Sequence, residues 1–353
     1  MEIELNRINY REGTVSKRRR INFILNHGGI GDYICWLTAM EWCAIYNPQI
    51  QMVIGAPKFF LPIVQNVFKR YPQVKVVDKL TITDDEIREF PTYLPTKTSS
   101  PVSCVGANLI DLGFIYYANR AKAPDYHNNY CQLDLADIQL SHERFKAFNS
   151  MTVNYSYAVL TPYYSHNNRK LPVSAFNKIK DYLLYKKITP VLVGQEAWAE
   201  RRQQIENEYD FSKCINLLDK TTLLEAAKIM SSAKMVIGVD NGLLHLAGMT
   251  STPIIFGYTI VGPEFRKPRR KNGITLDVFP NKKELACTFC LTEMRYHYEH
   301  SFNHCIYKDD LCVKMLEDFR PWKKAIDDLT ENKVVPLMRK PSEVPPPIPR
   351  HTI

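Results

Sequence analysis

With 353 residues, 45% of them apolar and 24% charged, the chain has the make-up of a globular protein about two average domains long, able to bury substantial cores. No window approaches the roughly 18 uninterrupted apolar residues of a membrane span, and "MEIELNRINYREGTVSKRRR" has neither the apolar core nor the small-residue cleavage site of a signal peptide, so a cytoplasmic protein is expected. The formal net charge of +9 bears on partners rather than fold. It favours an acidic ligand (a nucleotide, a phosphorylated glycan, a membrane surface or a nucleic acid), although a merely soluble basic surface would carry it too.

Residues 1–20 read as a polar, basic arm without clear period. "RINFILN" is a buried-strand pattern that ends in the turn "HGGIGD". From Asp32 to about Tyr46 apolar residues recur at threes and fours, as on a helix. "IQMVIGA" is a second strand, "PKFFLPIVQNVFKRYP" a helix with proline at its entry, and "VKVVDK" a third strand. In residues 81–150, "NLIDLG" suggests a strand and turn and "LSHERFKAFNSM" a short helix. The alternation restarts at Tyr155: "SYAVLTP" strand, "PVSAFNKIKDYLLYKK" helix, "TPVLVGQE" strand. "KTTLLEAAKIMSSA" follows as a helix, with Thr221 or Thr222 as cap and Glu225 three residues after Thr222, a capping-box spacing. "KMVIGVDNG" is a strand, "LLHLAGM" a short helix and "TPIIFGYT" a strand. Alternating strands and helices predict parallel sheets covered by helices. The expectation is two successive doubly wound units, residues 21–150 and 151–330, with a Pro-rich tail over 331–353 ("PSEVPPPIP") that packs no core.

Open parallel sheets bind ligands at the carboxyl ends of their strands, and four such ends carry suggestive residues. In "HGGIGD", Gly29 and Gly31 let backbone approach a ligand and the following helix N-terminus favours an anion. Asp32 is either a functional carboxylate or only a helix cap. The stretch matches neither GxxxxGK[ST] nor GxGxxG, which disfavours a P-loop or a standard dinucleotide site. "TPYYSHNNRKLP" offers Thr161, further hydroxyls, and the cations Arg169 and Lys170, a set able to hold a diphosphate but also typical of a solvated loop. Glu196 in "VGQE" could accept ribose hydroxyls. In "GVDNGLLHLAGM", Asp240, Asn241 and Gly242 form a strand-to-helix turn whose exposed N–H groups suit a phosphate, and His245 could add a donor.

These residues carry a resemblance. "DKTTLLEAA", "DNGLLHLA" and "TPIIFGYT" are similar to the C-terminal signature of glycosyltransferase family 9, the ADP-heptose:lipopolysaccharide heptosyltransferases, and "GGIGDYICWLTAM" resembles its N-terminal G-D motif. Asn241 stands where the family usually has Ser or Thr, Thr38 where a proline is usual, and "RKLP" where K-x-W-P is usual, so that either Arg169 or Lys170 is the candidate phosphate cation. The resemblance implies a GT-B fold, two Rossmann-like domains facing across a cleft, with the nucleotide-sugar mainly on the C-terminal one. It places Asp32 opposite the anomeric carbon, as the base of an inverting transfer. Without a DxD-type motif no catalytic metal is expected. Gly242, His245 and Arg169 or Lys170 would meet the charge of the leaving nucleoside diphosphate.

Of nine cysteines, Cys35, Cys43, Cys104, Cys131 and Cys214 read as small buried hydrophobes, while Cys287, Cys290, Cys305 and Cys312 cluster as C-x2-C-x14-C-x6-C. Four thiolates suit a structural Zn or Fe, with His297, His300 and His304 as substitutes; unligated buried thiols are the alternative. Some family relatives resemble this in having a cysteine-bound metal near the C-terminus. The block "EFRKPRRKNG" holds Arg266, Lys267, Arg269, Arg270 and Lys271. It is expected to rim the cleft, as a clamp for an acidic acceptor or as a solvated loop. The leading expectation is transfer of a heptose-like sugar to a saccharide hydroxyl. The alternatives are a polymer acceptor, such as a modified DNA base or a protein side chain, and a nucleotide-sugar-binding protein without catalysis. The oligomeric state is not given by the sequence.

Overall fold

The structure, a computed structural model, describes residues 20–26, 28–46, 48–90, 92–93, 130–152, 155–164, 166–196, 198–268, 270, 272–280, 283, 285, 287, 289–290, 305 and 310–331. The "NLIDLG" stretch, Cys104, Arg269, Lys271, the three interleaved histidines and the Pro-rich tail lie outside these residues.

Two parallel sheets form. The first joins β1 (Arg20–Ile24), β2 (Gln51–Ala56), β3 (Val74–Asp78) and β4 (Thr92–Tyr93) in the order β3-β2-β1-β4. The second joins β5 (Tyr157–Thr161), β6 (Thr189–Leu192), β7 (Ile215–Asn216), β8 (Met235–Val239), β9 (Ile254–Gly257) and β10 (Thr275–Val278) in the order β10-β9-β8-β5-β6-β7. Counted from β5, this is the doubly wound order 3-2-1-4-5-6, which reverses between β5 and β8. Register is fixed by near-continuous apolar runs: Leu160 lies opposite both Leu192 and Ile237, and Val236 opposite Ile254. Such runs are what strands buried on both faces require. Successive side chains leave opposite faces, so Val159, Val236 and Phe256 enter one core and Ala158, Leu160, Ile237 and Ile255 the other.

The helices follow the local chemistry. Helix α1 (Ile30–Tyr46) takes up the chain after the glycine turn. Pro62 sits in the first turn of α2 (Leu61–Phe68), where its missing N–H costs nothing. The short α3 (Asp84–Glu89) is closed by a capping box of Thr83 and Glu86. A 3₁₀ turn at Glu143–Phe145 leads into α4 (Lys146–Thr152). Then come α5 (Val173–Tyr185) and α6 (Ala199–Glu208). On α7 (Leu223–Ser231) the expected box is complete: the Glu225 N–H donates to Thr222 Oγ1 over 3.3 Å, and the Thr222 N–H to Glu225 Oε2 over 2.8 Å. The remaining helices are α8 (Gly242–Gly248), α9 (Pro263–Arg266), α10 (Leu311–Met315) and α11 (Phe319–Thr330). Trp322 of α11 is fully buried against Gly257 of β9, and its indole N–H donates to Leu316 O.

The first unit and one face of the second sheet share a continuous core that runs from Phe23, Ile34 and Ile54 to Val236, Leu244 and Phe256. Residues 130–152 stitch them. Asn66 exchanges two hydrogen bonds with the backbone of Asp134, and Lys69 pairs with the Asp134 carboxylate at 2.6 Å. On the other side Leu133 N–H donates to Met249 O and Arg144 pairs with Glu225 at 2.6 Å. Helices α1 and α8 meet through glycine. A Cβ on Gly31 would lie 2.7 Å from the His245 ring, and one on Gly242 would lie 2.8 Å from Ile30 Cβ. Only a residue without a side chain allows that approach.

Candidate functional site

Ligands of open parallel sheets bind beyond the carboxyl ends of the strands where the order reverses. In the first sheet that place is the end of β1, which runs into Gly28–Asp32. In the second it is the ends of β5 and β8, Thr161 and the turn Asp240–Gly242. The two places face each other, because α1 and α8 begin there and are in contact.

Around Asp240 every charge is paired. The side chain is 4% exposed. Arg169, in the 3₁₀ turn after β5, places Nη2 3.0 Å from Asp240 Oδ2 and also donates to the Asp240 carbonyl. Burial alone would raise the pKa of Asp240. Arg169 foremost, with His245 and Arg266, outweighs it and holds the carboxyl well below its ordinary range. His245 is 2% exposed, with Nε2 3.4 Å from Asp240 Oδ1 and Nδ1 2.7 Å from the Tyr130 hydroxyl. That hydroxyl in turn lies 3.4 Å from Cys35 Sγ. Burial raises Tyr130 well above its ordinary range and pushes the Cys35 thiol up to about 12, so both keep their protons. The consistent arrangement is a Tyr130 O–H donating to Nδ1 and an Nε2–H donating towards Asp240, a tautomer assigned from partners. Rather than offering a donor at the surface, His245 braces Asp240 from inside.

Asn241 caps α8. Its Oδ1 accepts from the N–H groups of Leu243 and Leu244 at 3.0 and 3.1 Å, and its Nδ2 donates to Thr161 Oγ1 at 3.1 Å and to Tyr163 O. Asn therefore does the work of a capping Ser or Thr and ties β5 to β8, but it occupies two of the N–H groups expected to meet a phosphate. Thr161 is fully buried in this bond, and its Oγ1 would lie 2.1 Å from a Cβ on Gly238.

Asp32 is different. It occupies the third position of α1, where its Oδ2 accepts the Gly29 N–H over 2.9 Å after a turn that Gly28 enters at φ +119°. Its side chain is 29% exposed, and Arg266 Nη1 stands 3.6 Å from Oδ1. The helix-end role is real, since the carboxylate holds the first orphan N–H of the helix, while its other oxygen stands beside Arg266.

The remaining candidates divide. Lys170 forms an ion pair with Glu208 and lies over the rings of Tyr164 and Tyr209, whereas Arg169 pairs with Asp240. Glu196 joins a network at the end of β6: Arg201 Nε is 3.5 Å from Oε2, and the Glu196 N–H donates to Asp219, which also takes Arg202 at 2.9 Å and the Tyr163 hydroxyl. The basic block does not form one rim. Arg270 is half-buried, and its guanidinium donates to the carbonyls of Thr250, Thr252 and Ile274; loss of solvation lowers its pKa to about 10. Lys267 pairs with Asp277 at 2.7 Å. Arg266 alone, among the described members, reaches the cleft. Cys287, Cys290, Cys305 and Cys312 come within electrostatic reach of one another: burial, with the other three thiols and Asp310 adding to it, pushes Cys312 up to about 12. Among the described residues no group of three or more His, Cys, Asp or Glu stands in a metal-holding arrangement. Tyr130 and the bridge by Arg266 had no signal in the sequence, because their partners lie far away along the chain.

Two Rossmann-like sheets that turn their carboxyl ends to one cleft make up the GT-B architecture. The solved structures agree. The family 9 glycosyl transferase from Veillonella parvula DSM 2008 superposes with a TM-score of 0.60 at 15% identity, over 89% of this chain and 97% of that one. The iron-containing dodecameric glycosyltransferase TibC from enterotoxigenic E. coli H10407 superposes with a TM-score of 0.61 at 14% identity, over 90% of this chain and 77% of that one. TibC has also been solved in complex with ADP-D-β-D-heptose. Residues 118–289 match the family described as "Glycosyltransferase family 9 (heptosyltransferase)". The curated relative lipooligosaccharide heptosyltransferase 2 of Haemophilus influenzae is 34% identical over 55 residues, a match spanning 16% of this chain and 16% of that protein. The family match and the shared fold support a glycosyltransferase. No helix among the described residues is long and apolar enough to cross a membrane.

Proposed function

We propose that the protein is an inverting glycosyltransferase that moves a heptose-like sugar from a nucleoside-diphosphate sugar to a hydroxyl of a saccharide acceptor. One observation carries the reading. Two aspartates stand across one cleft at the switch points of two parallel sheets, one sealed among cations and the other still open to an incoming group. As the acceptor oxygen forms its bond to the anomeric carbon, its proton passes to Asp32. The bond from that carbon to the phosphate oxygen breaks, and its electron pair stays on the diphosphate. A carboxylate in hydrogen-bond reach contributes roughly 10²–10⁴-fold to such a step. The donor lies on the C-terminal unit, with its diphosphate towards Arg169 and Gly242 and its ribose towards Glu196. The charge that develops is met by fixed cations and dipoles.

Cys287, Cys290, Cys305 and Cys312 suit a structural Zn or Fe by residue type and spacing: four thiolates are the donor set such a cation takes. Bound there it would cross-link the C-terminal part of the chain, apart from the transfer. The fact that TibC is iron-containing favours iron among the two. We set the reaction in the cytoplasm. A saccharide acceptor is preferred to DNA because Lys267 and Arg270 are committed to partners within the protein, which leaves no continuous basic rim among the described residues.

Thermal melts against a panel of nucleotide-sugars test the reading. A donor at 100 times its Kd adds about 2.7 kcal/mol of stability, and ADP-heptose is the first expected to do so. A panel with no stabilising member would overturn it.

A further inference from the structure

Residues from three distant parts of the chain meet in one buried line. Cys35 Sγ lies 3.4 Å from the Tyr130 hydroxyl, that hydroxyl 2.7 Å from His245 Nδ1, and His245 Nε2 3.4 Å from Asp240 Oδ1. All four residues are buried. The line joins both units. Cys35 stands one turn after Asp32 on α1, at the i+3 spacing that makes two side chains neighbours on a helix. Tyr130 opens the segment that stitches the units together, and Asp240 follows β8 of the second sheet. His245 is the piece between. Its ring rests on Gly31, the residue before Asp32, so closely that a Cβ there would lie 2.7 Å from Cδ2. Phe256 meets the same ring edge-on, 5.9 Å between centroids. The imidazole thus fills the gap between the backbone that carries Asp32 and the carboxylate of the turn after β8.

Resting on the transfer proposed above, we infer that Tyr130 is a positioning residue for it: its hydroxyl locks the His245 ring as a spacer that fixes how far Asp32 stands from the Asp240–Gly242 turn. An imidazole has a broad, roughly two-fold torsion about Cβ–Cγ, so its own rotamer does not hold it. Because one edge presses on Gly31, any turn of the ring changes the spacing of α1 and α8. Hydrogen bonds on both nitrogens hold it instead. A carboxylate only accepts, so Asp240 takes the Nε2–H, and Nδ1 of the neutral ring must then accept. Tyr130 supplies that O–H, and its oxygen is left to accept from the Cys35 thiol, which ties the lock to α1. Without the hydroxyl, Nδ1 becomes a buried acceptor that has lost its donor, and the ring is held at one nitrogen. The transfer needs the acceptor oxygen lined up between Asp32 and the anomeric carbon, and a misplacement of about 1 Å costs up to roughly 10²-fold. Tyr130 therefore acts on the rate while it touches neither donor nor acceptor.

Tyr130→Phe tests it, since it removes the hydroxyl and keeps the ring. With nucleoside diphosphate release measured from the nucleotide-sugar that the thermal panel selects, kcat should fall by about 10- to 10²-fold, while KM for that nucleotide-sugar changes by less than about threefold. Tyr157→Phe is the control. It takes a buried hydroxyl, bonded to Ile229 O at 2.7 Å, from the amino end of β5, the end away from the cleft. It should lower the melting temperature about as much as Tyr130→Phe does and leave kcat within about threefold of the wild type. The bond is also read without turnover, in the ¹⁵N spectrum of histidine-labelled protein with His245 assigned by its loss in His245→Asn. In the wild type the proton should sit on Nε2, and the Nδ1 resonance should move in Tyr130→Phe. If Tyr130→Phe does not fold, the wild-type tautomer carries the test together with Gly31→Ala, which presses the same ring from its other side and should show the same split between kcat and KM. A proton on Nδ1, a kcat for Tyr130→Phe no lower than that of Tyr157→Phe, or an effect confined to KM would overturn the inference and leave the transfer intact. A wild-type chain that releases no nucleotide from any nucleotide-sugar would overturn both.

Discussion

The two strand-to-helix turns that face each other are built from the same parts, glycine and aspartate at the start of a helix, in different surroundings. After β8 the carboxylate is 4% exposed, with Arg169, Arg266 and His245 around it; after β1 it is 29% exposed, with a backbone N–H and one arginine. A base must give up and regain its proton at small cost. Asp240 cannot, because protonation would strand Arg169 beside a neutral group in a buried site. Asp32 can. The two carboxylates differ in burial and in the charges around them, which the motif alone does not reveal.

The sharpest way to break that contrast is to remove the anchor. Asp240→Ala removes a buried carboxylate that is paired with Arg169 and should cost about 3–5 kcal/mol, read as a fall in the melting temperature. Because the folded-state pKa of Asp240 is depressed, its contribution is present above the unfolded carboxylate value of about 4 and is lost as pH falls through the lower folded value. Acid melts of the wild type should accordingly show a loss of stability below about pH 4 that is smaller in Asp240→Ala. A variant as stable as the wild type would mean that the anchor is not needed.

A second test acts where the turns touch. Gly31→Ala puts a methyl 2.7 Å from the ring of His245, itself buried between Tyr130 and Asp240, and should cost about 1–3 kcal/mol as α1 is pushed from α8. The smallest effect belongs to the cap. Asn241→Ala should cost about 1 kcal/mol, and Asn241→Ser should restore most of it, since a serine hydroxyl can still accept from the start of α8. An alanine variant with unchanged stability would show that the bonds of Asn241 to Thr161 and Leu243 add nothing net.

How much of this could be read in advance depended on distance along the chain. The helix after Thr222 was legible to its capping residue because the signal, Thr222 with Glu225, is local. Strands β1, β2, β3, β5, β6, β8 and β9 stood out as apolar runs bounded by turn residues. Helix α6, "AERRQQIENE", gave no period, since Ile205 is its only buried residue. The four-residue β10 was too short, with "TLDV" only partly buried. At the site, the Gly-Asp and Asp-Asn-Gly turns were visible as motifs. The tie between Tyr130 and His245, 115 residues apart, was not. The basic block misled for a related reason. Arg270 looks like a surface charge in sequence, and only the fold brings the carbonyls of Thr250 and Thr252 around it.

The contrast between the two aspartates is tested most directly by Asp32→Asn, an exchange that preserves the size of the side chain and an oxygen to accept the Gly29 N–H. The measurement is turnover with the stabilising nucleotide-sugar, taken beside nucleotide affinity and the melting temperature of the same variant. Turnover should fall by roughly 10²–10⁴-fold while affinity and melting temperature stay close to those of the wild type. Turnover near the wild-type rate would return Asp32 to a helix-end role and contradict the account.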